Sequence, residues 1–204
     1  MNFSLSQAPN LIIRKFIEEW NSTNHGGSSR DASFLMIAWL PPWDGWVKLN
    51  IDGSRAGNMG MITAGGVLRN CQSKWLMGFS LRKGSGSVLE AELWGMYEGL
   101  SMAWNSDYRN IDVETDSLST VHLLAKTLDP LHPLFSIIQS CRHLISADWN
   151  YNVIHCYREG NKLADGLARL GHTLEFGIHV FDEPPTEARD IYEADLRGDA
   201  VARQ

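Results

Sequence analysis

A chain of 204 residues with 44% hydrophobic and 21% charged side chains has the composition of a soluble globular protein, with room for one ordinary domain and extensions. Its net charge of −6 is uneven: residues 172–204 hold eight of the 24 acids but only three of the 18 Lys and Arg, leaving residues 1–171 near neutral. No Lys/Arg cluster marks a strong phosphate-binding face, no apolar run approaches the ~20 residues needed to span a bilayer, and the N-terminus lacks the pattern of a secretory leader. Cys71, Cys141 and Cys156 are odd in number and widely spaced, which argues against a disulfide framework or zinc site and for a reducing, intracellular setting.

Taken in order, residues 11–20 have the pattern of a short amphipathic helix, and the Ser/Gly/Asn-rich residues 21–33 that of a flexible linker. Trp39-Leu40-Pro41-Pro42-Trp43 is an extended, proline-fixed approach, so a domain is expected to start near Trp39, giving the division 1–38, 39–171 and 172–204. Val47, Leu49 and Ile51 then alternate with Lys48, Asn50 and Asp52, the period-2 signal of a strand, and Gly53 lets the chain turn after the carboxylate. Residues 64–69 and 74–80 follow at hairpin spacing, predicting an antiparallel meander.

Ser87 with Glu90 three positions on is a capping box, and Leu89, Leu93, Met96, Tyr97, Leu100 and Trp104 continue as a helical stripe. Glu92 lies on one flank of that stripe beside Gly99 and Ala103, where a helix can approach a sheet closely; Glu90, on the other flank, is explained by capping. Residues 111–115 alternate Ile111 and Val113 with acids and again end on a carboxylate, Asp116, before Ser117. Helices are expected over 117–128 and from Pro133 onward, a strand through Trp149, Tyr151, Val153, His155 and Tyr157, and a last helix capped by Asn161 and stopped by Gly171. The order β-β-β-α-β-α-α-β-α is an α/β arrangement, with a proline-containing, acidic, loosely held tail after it. Two strands ending in Asp and a small residue bring two carboxylates to one sheet edge if they lie adjacent and parallel, the edge where open α/β sheets place their chemistry.

Four short motifs, Ile51-Asp52-Gly53-Ser54, Ala91-Glu92-Leu93, Glu114-Thr115-Asp116-Ser117 and Asn161-Lys162-Leu163-Ala164-Asp165, occur in a fixed order and strand–helix context. Through them the chain from about Trp43 to Gly171 resembles the type 1 ribonuclease H domain, and more closely the reverse-transcriptase-like ribonuclease H modules of plant genomes. That resemblance implies a ribonuclease H-like fold, with a five-stranded mixed sheet of three antiparallel strands followed by parallel ones, flanked by helices. It also implies hydrolysis of the RNA strand of RNA–DNA hybrids by a monomer, with Asp52, Glu92, Asp116 and Asp165 as catalytic and metal-binding carboxylates. The cofactor implied is a pair of Mg²⁺ ions, with Mn²⁺ as a substitute. Ser54, Ser117, Arg158 and Asn161 are the expected substrate contacts.

The chemistry suits that set, because in-line displacement at a phosphodiester needs charge neutralisation at both the attacking and departing oxygens, which two hard cations about 4 Å apart provide. Taken alone, Asp165 is an acid in a first helical turn, a position the helix dipole favours without any catalysis. The chain departs from the best-known enzymes in two ways. Only Arg158-Glu159-Gly160-Asn161 links the last strand and helix, where those enzymes often carry a longer histidine-bearing loop; His155 instead belongs to the strand pattern. No Lys/Trp-rich basic helix occurs between Ser117 and Asp148. These departures favour the alternative of a domesticated retroelement module that binds nucleic acid or protein without cutting. The acidic tail, repelling phosphates within a Debye length, is expected to be removable without loss of fold.

Overall fold

The computed structural model describes residues 35–203; the helix and linker expected over 11–33 lie outside the described residues. After a short strand Leu35–Ile37 (β1), the strands Val47–Ala56 (β2), Met61–Asn70 (β3) and Trp75–Ser85 (β4) form the antiparallel meander that their alternation predicts. The tight β3–β4 turn places Ser73 at φ 62°, and the Asn70 carboxamide accepts from the backbone N–H groups of Gln72 and Lys74. Asn110–Thr115 (β5) pairs with β2 in parallel, and Asn150–His155 (β6) pairs with β5 in parallel.

The helix Val88–Asn105 (α1) starts as the capping box predicts, with the Ser87 hydroxyl accepting from the Glu90 N–H. Met96, Leu100 and Ala103 of α1 pack on Leu49, Ile51, Ala64 and Leu68 of the sheet. The buried face of α1 includes its small residues Ala91, Gly95, Gly99 and Ala103 and the flank carrying Glu92, while Tyr97 and Trp104 of the expected stripe are only half-buried. Small side chains let the two backbones touch: a Cβ on Gly53 would stand 2.4 Å from the backbone nitrogen of Glu92.

Leu118–Ala125 (α2) and Phe135–Ile145 (α3) complete this layer. Helix α2 ends three residues before Leu128, because the Arg142 guanidinium of α3 binds the carbonyl oxygens of Leu123, Leu124 and Lys126. Lys162–Leu170 (α4) crosses the opposite face of the sheet, where Leu163 and Leu167 pack against Val67 and Trp75. Gly171 does not end α4 in a left-handed conformation; at φ −52° the chain runs on into a 3₁₀ turn, and a Cβ there would meet Leu81 O and Thr63 at 3.0 Å.

Residues 172–203 are not the loosely held tail that their composition suggests. Gly177–Phe181 (β7) pairs antiparallel with β4 and makes a sixth strand in the order β6-β5-β2-β3-β4-β7, where five were expected. Thr186–Arg197 (α5) packs on α4, and Val201–Arg203 (β8) pairs with β1 in a separate two-stranded sheet. The acidic composition conceals an inward stripe at helical spacing, Ala188, Ile191 and Tyr192, which covers Trp75, Leu163 and Leu167. The Tyr192 hydroxyl accepts from the Trp75 N–H at 2.9 Å and donates to Ser73 O at 3.2 Å, while the Trp75 indole donates to Phe181 O at 3.1 Å. Among the described residues no helix is long and apolar enough to cross a membrane.

Removing residues 172–204 therefore uncovers Trp75, Leu163 and Leu167 rather than trimming a loose end. The chain ended at Gly171 is expected to melt about 10 °C or more below the full chain, or without a cooperative transition, in a circular-dichroism scan. An unchanged melting curve would mean that the docked segment contributes nothing to the fold.

Candidate active site

The parallel register of β2 and β5 ends at the pair Ile51–Thr115, so Asp52 and Asp116 stand side by side just where that pairing stops. Strand β2 does not end on Asp52 with a turn at Gly53, as its pattern suggests, but runs on to Ala56 because β3 continues to pair with it. Helix α1, lying against Gly53, delivers Glu92 to the same point. A carboxylate oxygen from each of Asp52, Glu92 and Asp116 lies within 4.8 Å of the others. Asp52 and Glu92 are 6% and 5% exposed, and the Asp116 side chain 9%. Three acids from three elements, nearly withdrawn from water, form an electrostatically costly cluster.

Burial, then the charges of Glu92, Asp116 and Asp165, push the Asp52 carboxyl far above the usual carboxylate range. Glu92 is raised in the same way by burial and by Asp116, although the Gly53 N–H, Asp52 and Thr115 hydrogen-bond it and act in the opposite sense. The Thr115 hydroxyl lies 3.4 Å from Glu92 Oε2 and accepts from the Ser117 N–H at 3.1 Å. Hard oxygen donors converging with excess negative charge fit a divalent cation, since a cation returns each carboxyl to its ionised form.

The other expected residues divide. Asp165, in the first turn of α4, stands outside the three-acid cluster and pairs with Arg169 at 3.0 Å, yet is near enough to act on Asp52 electrostatically. Arg158 reaches over the cluster, with Nε donating to Asp116 Oδ2 at 3.0 Å from a side chain 84% exposed. The Ser117 hydroxyl is engaged as the N-cap of α2, accepting from the N–H and hydroxyl of Thr120. Asn161 occupies the N-cap position of α4 but makes no capping bond; it is 2% exposed, donates to Ile51 O at 2.9 Å and is held by Asn50. His155 is hydrogen-bonded to Asp116 O and set edge-on to Tyr157, the strand role its position predicts.

Ser54 carries a contact that the sequence pattern misses, with His172, whose Nε2 lies 3.0 Å from Ser54 Oγ and 3.1 Å from Thr63 Oγ1. The Thr63 hydroxyl donates to Ala168 O at 2.7 Å, so its oxygen is an acceptor toward the imidazole. A histidine just after the last expected helix, at the start of an acidic stretch, gives no sequence signal for this contact.

A mixed sheet with helices on both faces, and acids at the shared carboxyl edge of its two central parallel strands, is the ribonuclease H fold. The chain belongs to the reverse transcriptase-like family, whose model matches residues 50–171. An Arabidopsis thaliana relative, provisionally named a ribonuclease H protein, is 38% identical over 198 residues; these cover 93% of this chain and 32% of the relative, so the chain spans about a third of that relative's length.

Among solved structures, the ribonuclease H1 of Halobacterium salinarum matches with a TM-score of 0.58 at 23% identity, covering 63% of this chain and 98% of that one. The N-terminal ribonuclease H domain of a Mycobacterium tuberculosis protein matches with the same TM-score at 25% identity, covering 63% and 94%. A ribonuclease H1 from compost metagenome, solved with an RNA/DNA hybrid, matches at 0.54 and 21%, covering 61% and 94%.

Because the folded pKa values of Asp52 and Glu92 are raised, their protonation favours the fold: that stability is present below the unfolded carboxylate pKa of about 4 and is lost as pH rises through the folded values. The metal-free protein is expected to melt at falling temperature between about pH 5 and pH 8. Asp52→Asn keeps the shape and removes the charge, so in chelator at pH 8 it should melt about 3 °C or more above wild type and depend less on pH. A variant melting well below wild type under those conditions would make Asp52 a structural strand-end residue instead.

Proposed function

We propose that this chain is a metal-dependent endonuclease acting on the RNA strand of RNA–DNA hybrids, carried by the convergence of Asp52, Glu92 and Asp116 within 4.8 Å in a member of this family. Asp52, Glu92 and Asp116 would hold divalent cations, Mg²⁺ first. Cations bound there neutralise the charge that builds on the attacking and departing oxygens of an in-line phosphodiester displacement. Asp52, acted on by the charges of the other three acids, would be the shared ligand, with Glu92 and Asp116 beside it. Asp165, paired with Arg169 in this structure, would add negative charge from the α4 side.

Arg158, which donates to Asp116 from an exposed side chain beside the cluster, would meet a phosphate oxygen of the strand being cut. Ser54, two positions beyond Asp52, offers a hydroxyl held by His172 to the same strand. Asn161 acts from within the protein rather than on substrate, and Ser117 as a helix cap. For the domain division, the proposal is a single folding unit that includes residues 172–203.

One observation favours a second reading. In the metal-free chain Asp165 is engaged by Arg169 and Asp116 by Arg158, so arginines already satisfy two of the four acids. A module that binds nucleic acid without cutting it would keep those pairs.

Purified protein on an end-labelled RNA–DNA hybrid distinguishes them. Cleavage of the RNA strand is expected with Mg²⁺ or Mn²⁺ and none with chelator. Asp52→Asn should abolish it, and Asp165→Asn should lower the rate by at least about a hundredfold, the scale of a lost charge-stabilising group. Binding of the hybrid with no cleavage under any metal would decide for the non-cutting module.

A further inference from the structure

Asn50 lies two positions before Asp52 on the same strand face, is fully buried, and uses all four of its carboxamide hydrogen-bond sites. Its Nδ2 donates to Glu114 Oε2 at 3.0 Å and to Asn161 Oδ1 at 3.2 Å. Its Oδ1 accepts from the Trp39 indole and from Arg69 Nη2, both at 2.8 Å. Arg69, 1% exposed, stacks 3.5 Å from the centroid of the Trp39 ring and donates through Nη1 to Asp195 Oδ2 at 2.6 Å. Asn161 in turn donates to the carbonyl of Ile51, the peptide that precedes Asp52. A continuous line of directional bonds thus runs from α5 through Arg69, Asn50 and Asn161 to the backbone beside Asp52 and the head of the helix carrying Asp165.

The Arg69–Asp195 pair is a poor choice if its only purpose is stability. Burial lowers the Arg69 pKa although Asp195 opposes the shift, and raises that of Asp195 although Arg69 opposes it. On both partners desolvation outweighs pairing, the situation in which well-packed apolar side chains stabilise as well or better. What apolar side chains lack is direction. Asn50 can offer Nδ2 to Asn161 only while its oxygen faces Trp39 and Arg69, and Arg69 is aimed by Asp195. Asp195 also lies beyond the residues that the family model matches.

We infer that α5 is a working part of the active-site frame: Asp195 aims Arg69, and Arg69 is a positioning residue that, through Asn50 and Asn161, sets the head of α4 against the strand end bearing Asp52. This rests on the proposed metal-dependent reading of the acid cluster. The contribution of Arg69 is to hold the Asp165 helix at a spacing that two cation-binding walls can share.

The test uses the full chain, with Mg²⁺ and Mn²⁺ titrated by calorimetry and melting curves taken in chelator. Asp195→Asn keeps an acceptor for Arg69 but removes the charge that aims it. The double variant Arg69→Met with Asp195→Leu removes the pair and is expected to melt at or near the wild-type temperature. Both should bind Mn²⁺ about tenfold more weakly, the usual effect of losing a group that orients a metal ligand. In cleavage assays the half-saturating metal concentration should rise accordingly.

A double variant that folds and binds Mn²⁺ as tightly as wild type overturns the inference and leaves the nuclease reading intact. So does an Asp195→Asn variant whose only change is a lower melting temperature. Absence of metal binding by the wild-type protein removes the acid-cluster reading, and the inference with it.

Discussion

The arrangement on which the rest depends is the mutual repulsion of three buried carboxyl groups. Asp52, Glu92 and Asp116 are brought together by the parallel register of β2 and β5 and by a helix that touches the sheet at Gly53. Burial and neighbouring charge oppose ionisation of Asp52 and Glu92, and the hydrogen bonds that Glu92 receives offset this only in part. The stabilisation comes from elsewhere: the apolar layer of Leu49, Ile51, Leu68, Met96 and Leu100 on one face, and Val67, Trp75, Leu163 and Leu167 on the other. The site stores unfavourable electrostatics that a bound cation relieves, so affinity for metal and strain in its absence are two aspects of one geometry.

The two faces of β2 do different work. Leu49 and Ile51 enter a continuous apolar core with α1. Lys48, Asn50 and Asp52 point to the other side, which in an isolated sheet would be the wet side, yet they are 7%, 0% and 6% exposed. They are buried because α4, α5 and the Trp39 approach close over them, and each is then obliged to find partners. Lys48 pairs with Glu114 at 2.6 Å and donates to Leu40 O at 2.7 Å, and Asn50 ties four elements together. Asp52 alone is left with like charges, which is why it is the residue whose chemistry is most perturbed.

The departures from the sequence pattern have a common cause. Asn161 has the composition and place of a helix cap, and Ser117 those of a substrate contact, but their side chains are claimed by Ile51 O and Asn50 in the first case and by Thr120 in the second. Arg142 shortens α2 from a helix 17 residues further on, by binding carbonyls that local pattern assigns to further helical turns. Residues 172–203 were masked by composition: eight acids in 32 residues have the profile of a solvated tail, while Ala188, Ile191 and Tyr192 are too few for a strong stripe. Except for Ser117, whose partner Thr120 is three residues away, a partner distant in sequence and invisible to local periodicity decided the outcome.

By itself the sequence determined the element order from β2 to α4, the meander and the capped start of α1, because period-2 and period-3.6 burial and the Ser87 cap are local physics; that β2 continues past Asp52 to Ala56 was decided by its pairing with β3. It also marked Glu92 over Glu90, since small residues on one flank of a helix set where backbones can touch. The tertiary structure alone decided that Asp52 and Asp116 are neighbours in parallel register, that a sixth strand and α5 close the sheet, and that Arg69 lies buried against Asp195. Those are long-range facts: strand order, helix docking and the pairing of buried charges depend on groups 60 to 130 positions apart meeting in space. No property of either partner's own neighbourhood encodes the other.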